Sequence, residues 1–238
     1  MATLDSGGDA PPIPPSSPSD TALSGAKVPI PTLERLTTYL RCLIEAGTDG
    51  VETTSSAQIE ARSGISAAQF RKDISYFGEF GKPGVGYNVA ELEGRLARIL
   101  QIHKVQPIIL IGAGNLGSAL VAYPGLEEHK FLVVAAFDTD PAKIGQRLKG
   151  MEIQDFRKLG IVNRTLRAKM AILAVPASAA QAAAESMVND AGIRAILNFA
   201  PVPLRVPAHV IVRNVSFLQE LAVLSYHLTE SSHGDGPA

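Results

Sequence analysis

Apolar side chains recur every three or four residues over 32–46, which predicts an amphipathic helix at the start of the ordered chain. Two pairs follow in which a serine precedes a glutamine by three residues, a spacing typical of a capping box. They are Ser55 with Gln58 and Ser66 with Gln69. We therefore predict four helices in this half of the chain, over 32–46, 55–64, 66–77 and 89–102.

A glycine-rich segment separates the third and fourth predicted helices. Four glycines fall within residues 78–86 together with the dipeptide Lys82-Pro83, and this composition predicts a tight hairpin or loop. Three helices followed by such a hairpin form the plan of a winged helix-turn-helix. We therefore predict a winged-helix domain over 28–104.

From position 107 onward the apolar residues form short continuous runs, as buried parallel strands do. Strands are predicted over 108–111, 131–137, 170–175, 194–199 and 209–215, and helices over 115–123, 178–190 and 216–229. This alternation predicts an α/β class of fold with a doubly wound Rossmann domain. We assign that domain to 105–215, followed by a C-terminal helix over 216–230.

The two ends of the chain differ in composition from the rest. Residues 1–27 are rich in Pro, Ser, Gly and Asp, and 231–238 are similar, which predicts disordered tails because little apolar surface can be buried. No apolar run reaches the roughly 18 residues of a membrane span, and the N-terminus lacks the basic and apolar regions of a signal peptide. We expect a cytoplasmic location and no membrane partner.

Cysteine content and charge narrow the possible functions further. The single cysteine, Cys42, lies in an apolar helical run, which favours a buried structural thiol over a redox sensor. The formal net charge is −1, so the balance of the whole chain does not indicate a nucleic-acid partner. Such a partner has to be argued from a local patch of charge.

Residues 112–117, Gly-Ala-Gly-Asn-Leu-Gly, match the G-x-G-x-x-G fingerprint of dinucleotide-binding turns in its required context, after a strand and before a helix. Gly112 permits a tight turn, Gly114 lets backbone N–H groups approach a pyrophosphate, and Gly117 lets the helix pack on the sheet. Asp138 ends the next strand, 21 residues after Gly117, where an acid is expected to bind ribose hydroxyls. The alternative is a turn of the same shape without a ligand.

The residues after Asp138 indicate which nucleotide binds, and the arrangement of the histidines indicates whether the nucleotide takes part in catalysis. Thr139 and Asp140 cannot neutralise a 2′-phosphate, which favours NAD(H) over its phosphorylated form. None of the five histidines has a recognisable catalytic arrangement, and the roughly 120 residues after Pro107 leave no room for a substrate domain. We therefore interpret the nucleotide as a ligand that is sensed, and we predict no catalytic residues and no metal site. The competing classes are an NAD-dependent enzyme with an accessory helical domain and a CoA- or nucleotide-binding regulatory module.

The third predicted helix has two distinct faces. Phe70, Ile74 and Phe77 share one face and are expected in the core. The opposite face carries Ala68, Arg71, Lys72 and Ser75. Adjacent cations on an exposed helix suit a DNA major groove. The alternative is that they are ordinary solvated charges, since basic and acidic residues are almost equal in number over 27–104.

A series of motifs follows in register over about 30–229. They are 68–78 (AQFRKDISYFG), 80–82 (FGK), 84–87 (GVGY), 112–117 (GAGNLG), 122–125 (AYPG), 137–141 (FDTDP), 175–177 (VPA) with 180–181 (AQ), and 197–202 (LNFAPV). Together they resemble the recognition helix, wing and nucleotide domain of the redox-sensing transcriptional repressor family Rex. The resemblance implies a homodimeric repressor of respiratory and fermentative genes that NADH releases from DNA and for which NAD⁺ competes.

The resemblance also implies specific contacts. DNA contacts are expected from Ser66, Gln69, Arg71, Lys72, Ser75, Tyr76, Lys82 and Gly84. Nucleotide contacts are expected from Gly112, Ala113, Gly114, Asn115, Leu116, Gly117, Asp138, Tyr123, Pro176, Phe199 and Phe217. A dimer with two-fold symmetry would bind a near-palindromic operator.

The C-terminal helix and the residue before it complete the comparison. Phe217, Leu218, Leu221, Leu224 and Leu228 form an apolar stripe, which belongs either to the chain's own core or, as the family's exchanged helix implies, to a partner subunit.

Family members usually carry Asp where this chain has Ser216, and in them that Asp pairs with an Arg at the position of Arg41 or meets a Tyr at the position of Tyr123. Ser216 cannot form the ion pair. Without that anion, we expect a preference for NADH at least as strong as in the relatives that keep it.

Overall fold

The structure, a computed structural model, describes residues 28–81 and 84–231. The tail predicted over 1–27, all but the first residue of the tail predicted over 231–238, and the predicted DNA contact Lys82 lie outside these ranges. The chain divides into two compact units, one ending at Leu100 and the other beginning at Gln101. Within the described residues, no helix is both long and apolar enough to cross a bilayer.

The N-terminal unit contains the four predicted helices and a small two-stranded sheet. Its elements are α1 (Ile30–Thr48), β1 (Thr53–Thr54), α2 (Ser56–Ser63), α3 (Ala67–Ser75), β2 (Tyr87–Asn88) and α4 (Val89–Ile99). Ser55 forms a complete capping box with Gln58 at the start of α2, as its spacing predicts. Ser66 caps α3 through the backbone N–H of Gln69, but the Gln69 side chain turns elsewhere, so only half of the second box forms.

The described part of the glycine-rich segment forms a loop, one of the two forms predicted for it, and leads into β2. β2 pairs antiparallel with β1, which precedes α2, so its strand partner is distant in sequence. Gly86 (φ 93°) makes this pairing possible, because a Cβ there would collide with the carbonyl oxygen of Thr54 at 2.5 Å. The order of helices and strands is that of a winged helix.

The C-terminal unit is a seven-stranded sheet with helices on both faces. Its first half contains β3 (Gln106–Ile111), α5 (Asn115–Ala122), α6 (Pro124–Glu128), β4 (Phe131–Asp138), β5 (Arg147–Leu148) and β6 (Met151–Asp155). A 3-10 helix (Phe156–Lys158) leads to α7 (Leu159–Leu166), β7 (Met170–Leu173), α8 (Ala177–Asn189), β8 (Ala195–Asn198), β9 (Ile211–Asn214) and α9 (Phe217–Ser231). The strand order is β5-β6-β4-β3-β7-β8-β9, parallel throughout except between β5 and β6. The predicted doubly wound fold is confirmed.

Several elements of this unit were not predicted from the sequence. β6 and α7 lie in a segment without a predicted element, because β6 mixes polar and apolar residues at its buried and half-buried positions. The predicted helix over 115–123 ends one residue earlier, and Pro124 then starts α6. Fully buried side chains of the central strand β3, such as Ile109 and Leu110, face opposite sides of the sheet and anchor both layers of helices.

Candidate functional site

The turn between β3 and α5 uses its three glycines for different reasons. Gly112 has φ 95°, and a Cβ on it would collide with the carbonyl oxygen of Ala174 on the neighbouring strand's end. A Cβ on Gly117 would collide with the carbonyl oxygen of Gly112. A Cβ on Gly114, in contrast, would meet no atom within 4 Å, so the bare backbone at this position faces open space. Two glycines thus serve the packing of the turn, and Gly114 leaves room for a ligand.

Asp138, at the end of β4, lies directly beside this turn. Its Oδ2 accepts a hydrogen bond from the backbone N–H of Ala113 at 2.9 Å, and its Oδ1 accepts one from the N–H of Asp140 at 2.9 Å. Burial by itself raises the pKa of Asp138, but the hydrogen bonds from Asp140, Lys143 and Ala113 outweigh it and hold the pKa below its ordinary value. The carboxylate is therefore ionised at neutral pH.

A cation that was not predicted from the sequence also belongs to this region. Lys143 Nζ lies 3.2 Å from Asp138 Oδ2 and 3.9 Å from Asp140 Oδ2. The prediction of NAD(H) considered only Thr139 and Asp140, and Lys143 adds a cation beside them. Two carboxylates share this one ammonium, and the local charge still disfavours an added 2′-phosphate.

A cavity of about 680 Å³ opens between the glycine turn, Asp138 and the start of α8, a size suited to a small-molecule ligand. Of the predicted nucleotide contacts, its lining includes Gly112, Gly114, Asn115, Leu116, Asp138 and Pro176. Phe156 and the small residues Ala179, Ala182 and Ala183 of α8 also line the cavity and were not predicted. The small size of the residues on α8 is the one feature of the sequence that could have indicated that this helix lines the cavity.

The remaining predicted nucleotide contacts do not line this cavity. Ala113 reaches Asp138 through its backbone, and Gly117 is buried in the turn. Phe199 and Phe217 lie against each other, with ring centroids 6.5 Å apart, although Phe217 remains 61% exposed. Tyr123 is also exposed, and its ring lies over Gly125, where a Cβ would meet it at 2.5 Å.

The three predicted switch residues occupy separate elements. Arg41 is exposed on α1, with Glu45 one turn away at 3.9 Å. Tyr123 stands between α5 and α6. Ser216 precedes α9, and its hydroxyl accepts a hydrogen bond from the Gln219 N–H at 3.3 Å. The serine therefore acts as an N-cap, a task that an aspartate performs equally well.

The third helix, α3, presents the predicted polar face to solvent. Arg71, Lys72 and Ser75 are exposed, and the Arg71 guanidinium donates to Ser56 Oγ at 2.7 Å. Tyr76 is half-buried at the end of the helix, and Gly84 (φ 78°) lies in the wing segment. On the other face Phe70 and Ile74 are buried as predicted, whereas Phe77 lies beyond the helix end and is only half-buried.

Asp73, a residue without a prediction from the sequence, and Gln69, a predicted DNA contact, pair with each other on α3. Asp73 is fully buried on the apolar face, and Gln69 donates its side-chain amide to it at 2.8 Å, so this amide is not displayed toward solvent. Burial by itself raises the pKa of Asp73, but the hydrogen bonds from Arg35, Gln69 and Tyr39 lower it by a larger amount. The pKa of Asp73 therefore lies below its ordinary value. The spacing of Asp73 from Phe70 was the signal that placed it on the core face.

Cys42 is buried in α1, as expected for a structural thiol. Burial raises its pKa, which disfavours the reactive thiolate. Among residues 28–81 and 84–231, no group of three or more His, Cys, Asp or Glu side chains is arranged to hold a metal ion.

Comparisons with known proteins agree with this geometry. Residues 27–75 match the family described as "Putative DNA-binding protein N-terminus", and residues 103–202 match "CoA binding domain". A redox-sensing transcriptional repressor Rex from Pelotomaculum thermopropionicum is 43% identical over 90% of this chain and 100% of its own length. This chain belongs to the Rex family. Another Rex, from Carboxydothermus hydrogenoformans, is 44% identical over 87% of this chain and 99% of its own.

Solved structures of a Rex-family repressor, RSP, extend the similarity to three dimensions. The complex of RSP with β-NAD⁺ and operator DNA has a TM-score of 0.83, with 36% identity over 87% of this chain and 95% of the other. The complex with β-NADH has a TM-score of 0.78, with 35% identity over 87% and 97% of the two chains. The Rex fold therefore spans both units of this chain.

Proposed function

We propose that this chain is a DNA-binding repressor whose occupancy of its operator is controlled by NADH and NAD⁺. One observation carries the proposal: the chain combines a turn and ionised carboxylate suited to a dinucleotide with a helix that displays adjacent cations. Relatives with these features are named redox-sensing transcriptional repressors. By family resemblance, the regulated genes are respiratory and fermentative.

Asp138 favours the unphosphorylated dinucleotide. An ionised carboxylate accepts hydrogen bonds from ribose hydroxyls, whereas a 2′-phosphate would approach two carboxylates that share a single ammonium. The backbone around Gly114 offers N–H groups and the start of α5 to the pyrophosphate. We place Pro176, Phe199, Phe217 and Tyr123 at the nicotinamide end by resemblance. A weakly polar pocket there disfavours the charged nicotinamide of NAD⁺ through desolvation.

We further propose that the nucleotide is sensed and not turned over. The titratable side chains that line the cavity in the described part of the chain are Asp138, Asp140 and Lys143, and they pair with one another. A dehydrogenase needs a positioned acid or base beside the nicotinamide. The enzyme alternative predicts turnover of a substrate with no salt-dependent affinity for DNA.

Linkage sets the scale of the regulation. If NADH weakens operator binding, operator DNA must weaken NADH binding by the same factor, and typical couplings of about 1–3 kcal/mol correspond to roughly 5- to 150-fold. A homodimer would present two copies of α3 to the half-sites of a near-palindromic operator. The exposed apolar side chains of α9 support dimer formation through this helix.

The decisive experiment is a gel shift of the protein on the DNA upstream of its own gene, at increasing concentrations of NADH. We expect wild type to bind at low NADH and to dissociate as NADH rises, with NAD⁺ opposing the release. Arg71→Ala combined with Lys72→Ala should abolish operator binding and leave NADH affinity intact. Operator affinity that saturating NADH does not change would refute the proposal, as would operator binding that survives the double substitution.

A further inference from the structure

Asp73 occupies an unusual place for a carboxylate. It lies on the inner face of the recognition helix α3, between Phe70 and Ile74, and its side chain is 1% exposed. A charge at such a position is costly to bury unless it is paired and hydrogen-bonded. Its surroundings therefore indicate what it does.

Four side chains surround the Asp73 carboxylate with donors. Arg35 donates from Nε to Oδ2 at 2.6 Å and from Nη2 to Oδ1 at 2.7 Å, a two-bond arrangement. The Tyr39 hydroxyl donates to Oδ2 at 2.9 Å, and the Thr32 hydroxyl to Oδ1 at 3.2 Å. Gln69 completes the shell from within α3 at 2.8 Å. We call these five residues the Asp73 clamp.

Three of the four donors belong to α1, so the Asp73 clamp joins α1 to the recognition helix. Apolar packing tolerates small rotations of a helix about its axis, whereas a two-bond guanidinium–carboxylate contact is directional. Arg71 and Ser75 are each two residues from Asp73, about 200° around a helix, and therefore project from its opposite side.

We propose that Asp73 is a positioning residue that sets the rotation of α3 for base contacts, and that Gln69 belongs to this clamp and not to the base-contacting set. This inference rests on the proposed function, since it assumes that α3 enters a major groove. Arg71, Lys72 and Ser75 are then the side chains on α3 that face the bases and phosphates.

The proposal separates specific from non-specific DNA binding. Loss of the clamp leaves Arg71 and Lys72 on the surface, so their attraction to phosphates persists whatever the base sequence. Base contacts depend on geometry and are worth about 1–3 kcal/mol each, so a misdirected helix should lose roughly 5- to 150-fold in operator affinity. Binding to scrambled DNA, and its dependence on salt, should change by less than about threefold.

The test uses the full chain and four variants. Asp73→Asn removes the charge, and Tyr39→Phe and Gln69→Met each remove one donor with little change in volume. Leu96→Ala is the matched control, because Leu96 is buried in α4 of the same unit and is not part of the clamp. Each protein is titrated with operator, with scrambled DNA and with operators that carry one changed base pair, after circular dichroism has shown that it is folded.

We expect Asp73→Asn to lower the ratio of operator to scrambled affinity, whereas Leu96→Ala leaves that ratio unchanged in the folded fraction. Gln69→Met should weaken binding to the operator and to each operator with one changed base pair by a similar factor. No single base-pair position should lose its discrimination. Combined with Asp73→Asn, Gln69→Met should add little further loss. If Asp73→Asn does not fold, the ratio of operator to scrambled affinity is compared with Leu96→Ala for Tyr39→Phe and Gln69→Met instead.

Two results would overturn the inference while the proposed function stands. One is a Gln69→Met protein that loses discrimination at one base pair only, which would make Gln69 a base-contacting residue. The other is an Asp73→Asn protein whose operator and scrambled affinities fall in the same proportion as those of Leu96→Ala. Failure of wild type to bind the operator would instead refute the proposed function, and this inference with it.

Discussion

The carboxylate of Asp138 accepts a hydrogen bond of 2.9 Å from the backbone N–H of Ala113, a residue 25 positions earlier in the chain. This contact joins the end of β4 to the glycine turn after β3. It holds an ionised group beside the cavity through the protein's own backbone, at the position expected to receive the ribose hydroxyls.

Replacement of Asp138 by Asn should weaken NADH binding about ten- to a hundredfold, because a hydrogen bond to a charged group is worth about 1.5–3 kcal/mol. Isothermal calorimetry measures this directly. Asp155→Asn is a suitable control, since Asp155 ends β6 and does not line the cavity. Unchanged NADH affinity in Asp138→Asn would contradict the assigned role.

The glycines of the turn should separate binding from folding. Gly114→Ala has space for its methyl group in the free protein, so its melting temperature should stay close to that of wild type while NADH affinity falls sharply. Gly117→Ala should lower the melting temperature markedly, because its Cβ collides with the Gly112 carbonyl oxygen. Thermal melts and calorimetry on both variants test the distinction, and full NADH affinity in Gly114→Ala would refute it.

Ser216→Asp should raise the affinity for NAD⁺ relative to NADH. The substitution restores the anion that the family usually carries, and an exposed charge pair of this kind corresponds to about a two- to fivefold change. The N-cap of α9 should persist, since Asp caps as well as Ser. Calorimetry with both nucleotides measures the ratio. Ser216→Ala, which removes the cap without adding charge, is the control, and an equal ratio in the two variants would contradict the prediction.

Charge on the apolar side of α9 should dissociate the proposed dimer. Leu221 and Leu224 are each 59% exposed within the single chain, and Leu221→Glu with Leu224→Glu should give a monomer by light scattering and weaken operator binding. Gln219→Glu adds charge on the opposite side of the helix and should remain dimeric. A wild-type protein that is monomeric at micromolar concentration would refute the assembly.

The stability that Asp73 contributes should depend on pH in the acid range. Its pKa is lower in the folded state than the ordinary value near 4. The ionised form therefore stabilises the fold above about pH 4, and this contribution is lost as pH falls through the folded-state pKa. The difference in melting temperature between wild type and Asp73→Asn should be full at pH 6 and should shrink below about pH 4.

Tyr39 adds a second dependence of stability on pH, in the alkaline range. Burial, with the hydrogen bond to Asp73, raises the pKa of Tyr39 above its ordinary value near 10. Its contribution is therefore present below about pH 10 and is lost as pH rises beyond that value. The advantage of wild type over Tyr39→Phe should shrink in the alkaline range, and also below about pH 4, because the Tyr39 hydroxyl helps to lower the pKa of Asp73. An advantage that stays constant across both ranges would contradict the assignment.

Local patterns predicted the parts of this protein that depend on neighbours in sequence. Ser55 caps α2 because its partner is three residues away, and the run Ile108–Ile111 is a central strand because it is apolar at every position. The pattern of β6 was ambiguous because its buried and half-buried positions do not alternate regularly. Local patterns do not indicate that Lys143 and Phe156 line the cavity, because their approach to it depends on how the chain folds back after β4.

Periodicity and local spacing were enough to predict the two units, the glycine turn with its acid, and the face of α3 that carries Arg71 and Lys72. The inward turn of Gln69 to Asp73 depends on tertiary packing, as does the completion of the shell by Arg35 and Tyr39, more than thirty residues away. A buried carboxylate must find donors wherever packing brings them, and no spacing along the chain specifies which donors those will be.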